Sequence, residues 1–203
     1  MRLKVLVTFL LFCSLINGQT NNTIFKDLGL VDSLTHEYQI RIYKGPGITN
    51  YSTVFEMYFE SGKWNAVFYE HYNGIEPTII KTILTSNSKP DYIFQNFLRS
   101  YALELPDLKD IRWKMHTKRE IYKEEGSFRG KPFKKYWDMK TEHHILDGNI
   151  FYFQIKNDKT IHSFNYSNPD SYLITYPNID ELIFVNEILD TVRSEFNIWK
   201  KEE

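Results

Sequence analysis

The groups in this 203-residue chain best able to move protons or hold a metal ion are its six histidines and 26 acidic side chains, and two clusters of them stand out. Glu142, His143 and His144 are contiguous and Asp147 follows, a donor set suited to a divalent cation. Glu70, His71 and Glu76 bracket Asn73-Gly74, and two carboxylates ~5–10 Å apart are what glycoside hydrolysis requires. Geometry weakens both readings. Neighbours on an extended strand point to opposite faces, so His143 and His144 do not easily share one ion. Convergence would need one of them to meet His162, from a later strand, together with Glu142 or Asp147. A charged hairpin end is the plainer account of Glu70, His71 and Glu76. No metal site, cofactor or catalytic residue is therefore assigned.

Longer signatures of chemistry are missing. The chain has no G-x-G-x-x-G or G-x-x-x-x-G-K-[ST] phosphate loop, no G-x-S-x-G nucleophile elbow and no H-E-x-x-H pair. An enzyme whose residues converge from distant strands stays open as the alternative reading. It would be a cell-envelope hydrolase of glycan or peptidoglycan, with Glu70, Glu76, His143 or His162 as acid and base.

Charge is the more informative pattern. Between Lys109 and Lys135 there are ten Lys or Arg and four Asp or Glu, a net of +6, while the rest of residues 19–203 carries 13 against 22. Ile111 to Ile121 alternates apolar and polar residues, which predicts a strand presenting Arg112, Lys114, His116 and Lys118 on one face. Arg129 and Lys131 follow in a stretch with Gly126, Gly130 and Pro132 that predicts a long loop, interleaved with Phe128, Phe133 and Tyr136. These six basic residues make up the expected binding site, for an anionic ligand or protein partner in the cell envelope. The plainer account is a solvated sheet face whose lysines block edge-to-edge association. The net charge of residues 19–203 is −3, which argues against nucleic acid as the partner. The leading expectation is a non-catalytic ligand- or protein-binding module.

Residues 1–18 predict a cleavable signal peptide. Arg2 and Lys4 precede the apolar run Val5–Ile16, and Asn17-Gly18 supplies a small residue before a cut at Gln19. That run is short of the ~20 residues a spanning helix needs, and no later apolar run comes closer. Export to the periplasm or the medium follows. The single cysteine, Cys13, stands after Phe12 inside this segment, so neither a lipid anchor nor a disulfide is expected.

Those residues must be positioned by a fold that the remaining pattern predicts as α+β. Residues 19–203 read as one domain, a mostly antiparallel β-sheet with two amphipathic helices packed on it. Tyr38, Ile40 and Ile42 alternate with Glu37, Gln39 and Arg41, the pattern of a half-buried strand. Val54–Phe59 and Trp64–His71 flank a glycine turn, and Thr78–Leu84 is rich in β-branched residues. Asp138–Ile145, Asn149–Ile155 and Thr160–Tyr166 predict three further strands. The first helix follows Ser88 as cap and Pro90 in its first turn, with Phe94, Phe97, Leu98 and Tyr101 on one face. Asn178 is the expected cap of the second, whose apolar face is Leu182, Val185, Leu189, Val192 and Phe196. Asn168-Pro169 predicts a loop.

Overall fold

Period-two alternation in the first third of the chain becomes four consecutive strands: β1 (Tyr38–Lys44), β2 (Tyr51–Glu60), β3 (Lys63–Tyr72) and β4 (Thr78–Ile83). After two intervening segments come β7 (Ile150–Asn157) and β8 (Thr160–Ser167). The six pair antiparallel throughout, in the order β4-β3-β2-β1-β7-β8. This computed structural model describes residues 24–46, 49–74, 76, 78–116, 118–141, 143, 145 and 148–201. The expected leader, and with it Glu142, His144 and Asp147, lies outside them. The chain is a single α+β domain, and no helix among the described residues is long and apolar enough to cross a membrane.

Two amphipathic helices cover one face of the sheet, at the two places where the 3.6-residue period is strongest. They are α1 (Pro90–Arg99) and α4 (Asp180–Phe196). Ile93, Phe94 and Phe97 of α1 and Leu182, Val185, Leu189 and Val192 of α4 bury against Ile40, Ile42, Phe55, Met57, Phe153, Ile155 and Phe164. Neither helix has a side-chain cap. The cap positions are Lys89 and Ile179, not Ser88 and Asn178. Ser88 is instead drawn to α4, where its backbone N–H and hydroxyl donate to the Glu195 carboxylate at 2.7 and 2.8 Å. A charged acceptor on a neighbouring element outcompetes the local backbone for this hydroxyl.

The opposite face is also covered, which the alternation in β1 did not anticipate. Residues 24–36 lie across it. Phe25 packs with Tyr43, Val54, Val67 and Tyr69 in a second apolar cluster. Beneath this strap the polar positions of β1 are sealed in: Gln39 and Arg41 are 1% and 2% exposed. Arg41 donates from Nε and Nη2 to Glu56 Oε1 at 3.0 and 2.7 Å and from Nη1 to the Val31 carbonyl at 2.7 Å. Gln39 Nε2 donates to the same Glu56 oxygen, and its Oε1 accepts the backbone N–H groups of Thr35 and His36. His71 and Asp27 make a second link from sheet to strap at 3.1 Å. A buried charge survives only when paired and hydrogen-bonded, and this network ties strap to sheet as it satisfies Arg41.

The middle third departs most from expectation. Residues 111–121 are not one strand. Leu108–Ile111 forms a short helix, α2, and Arg112–Lys114 a 3-10 turn. The reason is the spacing of the residues actually buried: Leu108, Ile111 and Met115 fall at i, i+3 and i+7, a helical period, while Trp113 is 67% exposed. The stretch expected as a loop is instead a hairpin, β5 (Lys118–Phe128) and β6 (Lys131–Thr141). Arg129 and Gly130, at φ 51° and 74°, form its two-residue turn, a type I′ geometry that glycine favours. The strand expected over 138–145 ends at Thr141. Asn168-Pro169 starts a helix, α3 (Pro169–Thr175), because proline fits a first turn that needs no N–H.

Candidate functional site

The β5–β6 hairpin forms a sheet of its own and packs appreciably on no other described element. Each strand has 11 residues, so the arm is roughly 35 Å long. Its register runs from Lys118 opposite Thr141, through Tyr122 opposite Trp137, to Phe128 opposite Lys131. Directly opposed residues share a face. One face therefore carries Tyr122, Phe128, Phe133, Trp137 and Met139, with Lys118, Lys131 and Lys135 and the acids Glu120 and Glu124 among them. The other carries Arg119, Ile121, Lys123, Lys134, Tyr136, Asp138 and Lys140. Tyr122, Phe128, Trp137 and Met139 are 48–68% exposed. The Phe133 ring lies over Gly126, where an added Cβ would come within 2.9 Å of it. The aromatic thus shields the one strand residue that has no side chain to pack.

Charges on the arm are partly spent on one another. Arg119 grips Asp138 through Nε and Nη2, and this hydrogen bond holds the Asp138 carboxyl below the usual range and raises the guanidinium in turn. Lys118 pairs with Glu120, and both Lys123 and Lys134 reach Glu125. The Trp137 indole N–H donates to Glu124 at 2.9 Å. That occupies all four acids of the arm. Lys140 adds its charge to Asp138, whereas Arg129, Lys131 and Lys135 have no acidic partner among the described residues. Lys135 stands between Phe133 and Trp137, 5.5 and 5.6 Å from the ring centres, and Arg129 lies 5.4 Å over Phe128. The aromatic face is thus a row of rings with cations seated on them. This suits a surface that is both apolar and negatively charged.

The six predicted binding residues do not form one patch. Arg112 and Lys114 sit on the 3-10 turn beside the body, and the Lys114 ammonium is held by Glu181 of α4. His116 is half-buried just before the arm, and its Nδ1 has no hydrogen-bond partner. Lys118 stands at the arm's base, Arg129 and Lys131 at its tip, so base and tip are separated by roughly 30 Å. Only Lys118, Arg129 and Lys131 belong to the projecting surface. Sequence reading missed Tyr122, Trp137 and Met139. The available signal was the alternation Tyr122, Glu124, Gly126, Phe128 on one side of Arg129-Gly130 and Phe133, Lys135, Trp137, Met139 on the other.

The acid–base candidates are dispersed. Glu70 accepts the Tyr51 hydroxyl at 2.8 Å, and burial together with this carboxylate pushes the Tyr51 phenol up. His162 contacts the Leu105 carbonyl at 2.7 Å. Glu70 on β3 and His162 on β8 have three strands between them, a lateral separation of ~19 Å. Glu76 is exposed, and the His143 backbone N–H donates to the Tyr176 hydroxyl. No three His, Cys, Asp or Glu side chains among the described residues group as metal ligands. A cleft of about 180 Å³ beside α1 is lined by Met57, Trp64, Ala66, Leu84, Pro90 and Phe196, with no acid or base among its lining residues. No known protein family, curated protein or solved structure matches this chain.

Proposed function

We propose that this chain is an exported, non-catalytic module that holds an anionic ligand or protein partner of the cell envelope on the aromatic face of the β5–β6 arm. The observation that carries the reading is the arm itself: 11-residue strands with rings and unpaired cations in solvent on a face that no described element covers. An isolated two-stranded ribbon is marginal in water, and a monomer rarely leaves so many large rings exposed without a contact to make. The basic arm, with eight Lys or Arg against four acids, complements a negatively charged partner. The leader-like residues 1–18 support export.

Capture from solubilised envelope fractions tests the reading. Tyr122→Ala with Trp137→Ala, and separately Arg129→Ala with Lys131→Ala, should each reduce the captured partner at least tenfold, and capture should fall as salt rises. Arg112→Ala should leave it unchanged. Undiminished capture by both arm variants would contradict the proposal.

A further inference from the structure

The arm's outer edge has a property separate from its faces. Pro132 has no N–H to give the ladder, so its backbone nitrogen faces away from β5. Strand alternation then turns the backbone N–H and C=O groups of Lys134, Tyr136, Asp138 and Lys140 outward too. Over residues 134–140 the edge of β6 is therefore a ladder with no further strand paired to it among the described residues.

We propose that two copies of this chain pair antiparallel along β6, with Tyr136 facing Tyr136 of the second copy, to give a four-stranded sheet ordered β5-β6-β6-β5. A two-fold axis normal to a sheet keeps each symmetric register centred on one residue opposite its own copy, so the choices can be compared one by one. Centring on Lys134, Lys135 or Asp138 sets that charge against itself, and centring on Trp137 sets Lys134 against Lys140. Centring on Met139 opposes Asp138 to Lys140 but can join only residues 137–141, whereas centring on Tyr136 engages the whole of β6 with unlike charges opposed at its middle. Lys134 meets Asp138, Lys135 meets Trp137 and Phe133 meets Met139, each pair repeated by the axis, and the two Tyr136 rings meet once upon it. It also makes Lys134, Tyr136 and Asp138 the hydrogen-bonded positions, as their outward backbone groups require. The edge of β5 offers no equivalent. Registers centred on Ile121, Tyr122, Lys123 and Glu124 oppose Arg119 to Lys123, Glu120 to Glu124, Lys123 to itself and Glu124 to itself. Edge pairing leaves the aromatic faces open and side by side, so it stands independently of partner capture.

The test uses the full chain with Cys13→Ser. Hydrogen-bonded antiparallel residues lie ~5.5 Å apart at Cα, within disulfide reach. Under mild oxidation Tyr136→Cys should yield at least tenfold more cross-linked dimer than Lys123→Cys, whose two copies would be ~14 Å apart across the sheet. Equal yields would overturn the register. Sedimentation of the parent should show a dimer at tens of micromolar, and a monomer there would overturn the pairing. Lys134→Asp and Asp138→Lys should each shift the parent toward monomer, and the two together should restore the dimer. Within one chain that double exchange sets the new carboxylate beside Glu125 and the new ammonium beside Arg119, so recovery reports the contact between copies alone; no recovery would overturn it.

Discussion

The six-stranded body and the two-stranded arm invert the usual placement of residue types. Arg41 heads the largest fully buried side chains of the body, while the arm holds Phe128, Tyr136 and Trp137 in water at 48–68% exposure. Strand formation in both follows from alternation and turn chemistry. What lies against each face does not. In the body, helices take one face and the 24–36 strap the other, so even polar positions of β1 are enclosed. In the arm no second layer exists among the described residues, and the stabilising contacts are cross-strand ion pairs and cation–ring contacts. Burial is thus set by which segments return to cover a sheet, and side chains adapt to it by finding partners.

The sharpest way to break this contrast is at Arg41. Removing one member of a buried ion pair leaves the other uncompensated, so Arg41→Ala should lower unfolding free energy by ~3–5 kcal/mol in a urea titration. Arg41→Met with Glu56→Leu should recover most of that loss. If Arg41→Ala costs under about 1 kcal/mol, the strap does not seal the back face as described.

A smaller effect sharpens the role of α4. Burial alone would raise the Asp170 carboxyl, but hydrogen bonds and charge from Arg193 and Lys201 outweigh it and hold the group below its ordinary range. A carboxyl depressed in the folded state stabilises above its unfolded value, ~3.9, and that stabilisation is lost as pH falls through it toward the folded value. Asp170→Asn should therefore lower the urea midpoint at pH 7, and the gap to the parent should close below ~pH 4. A gap independent of pH would place the effect in packing instead.

How much of this was legible beforehand follows the same division. The apolar faces of α1 and α4 and most body strands could be read because one period dominates each segment: Phe94 and Phe97, or Leu182, Val185 and Leu189, repeat with little interference. Residues 108–115 mislead because two periods overlap. Ile111, Trp113 and Met115 alternate, yet Leu108, Ile111 and Met115 are the ones buried. The hairpin was hidden by Gly126 and Pro132, which suggest a loop when read locally. Both are edge or cover devices within a strand, visible only once Phe133 is seen over Gly126 and Pro132 is placed outward. The basic residues were identifiable, but their separation into a body turn and an arm depended on where the strand begins. Burial of Gln39 and Arg41 had no local signal, since the segment that covers them lies earlier in the chain.

The smallest expected effect on stability is also the most direct test of the central claim that the arm is a contact surface and not part of the fold. Lys118 and Thr141 are cross-strand neighbours, so a short Gly-Ser linker can replace everything between them. The excised chain should unfold at the parent's urea midpoint, within the ~0.5 kcal/mol expected of changes away from the core, while partner capture and dimer formation are both lost. A large fall in the midpoint, or capture and dimerisation that persist without the arm, would contradict the account.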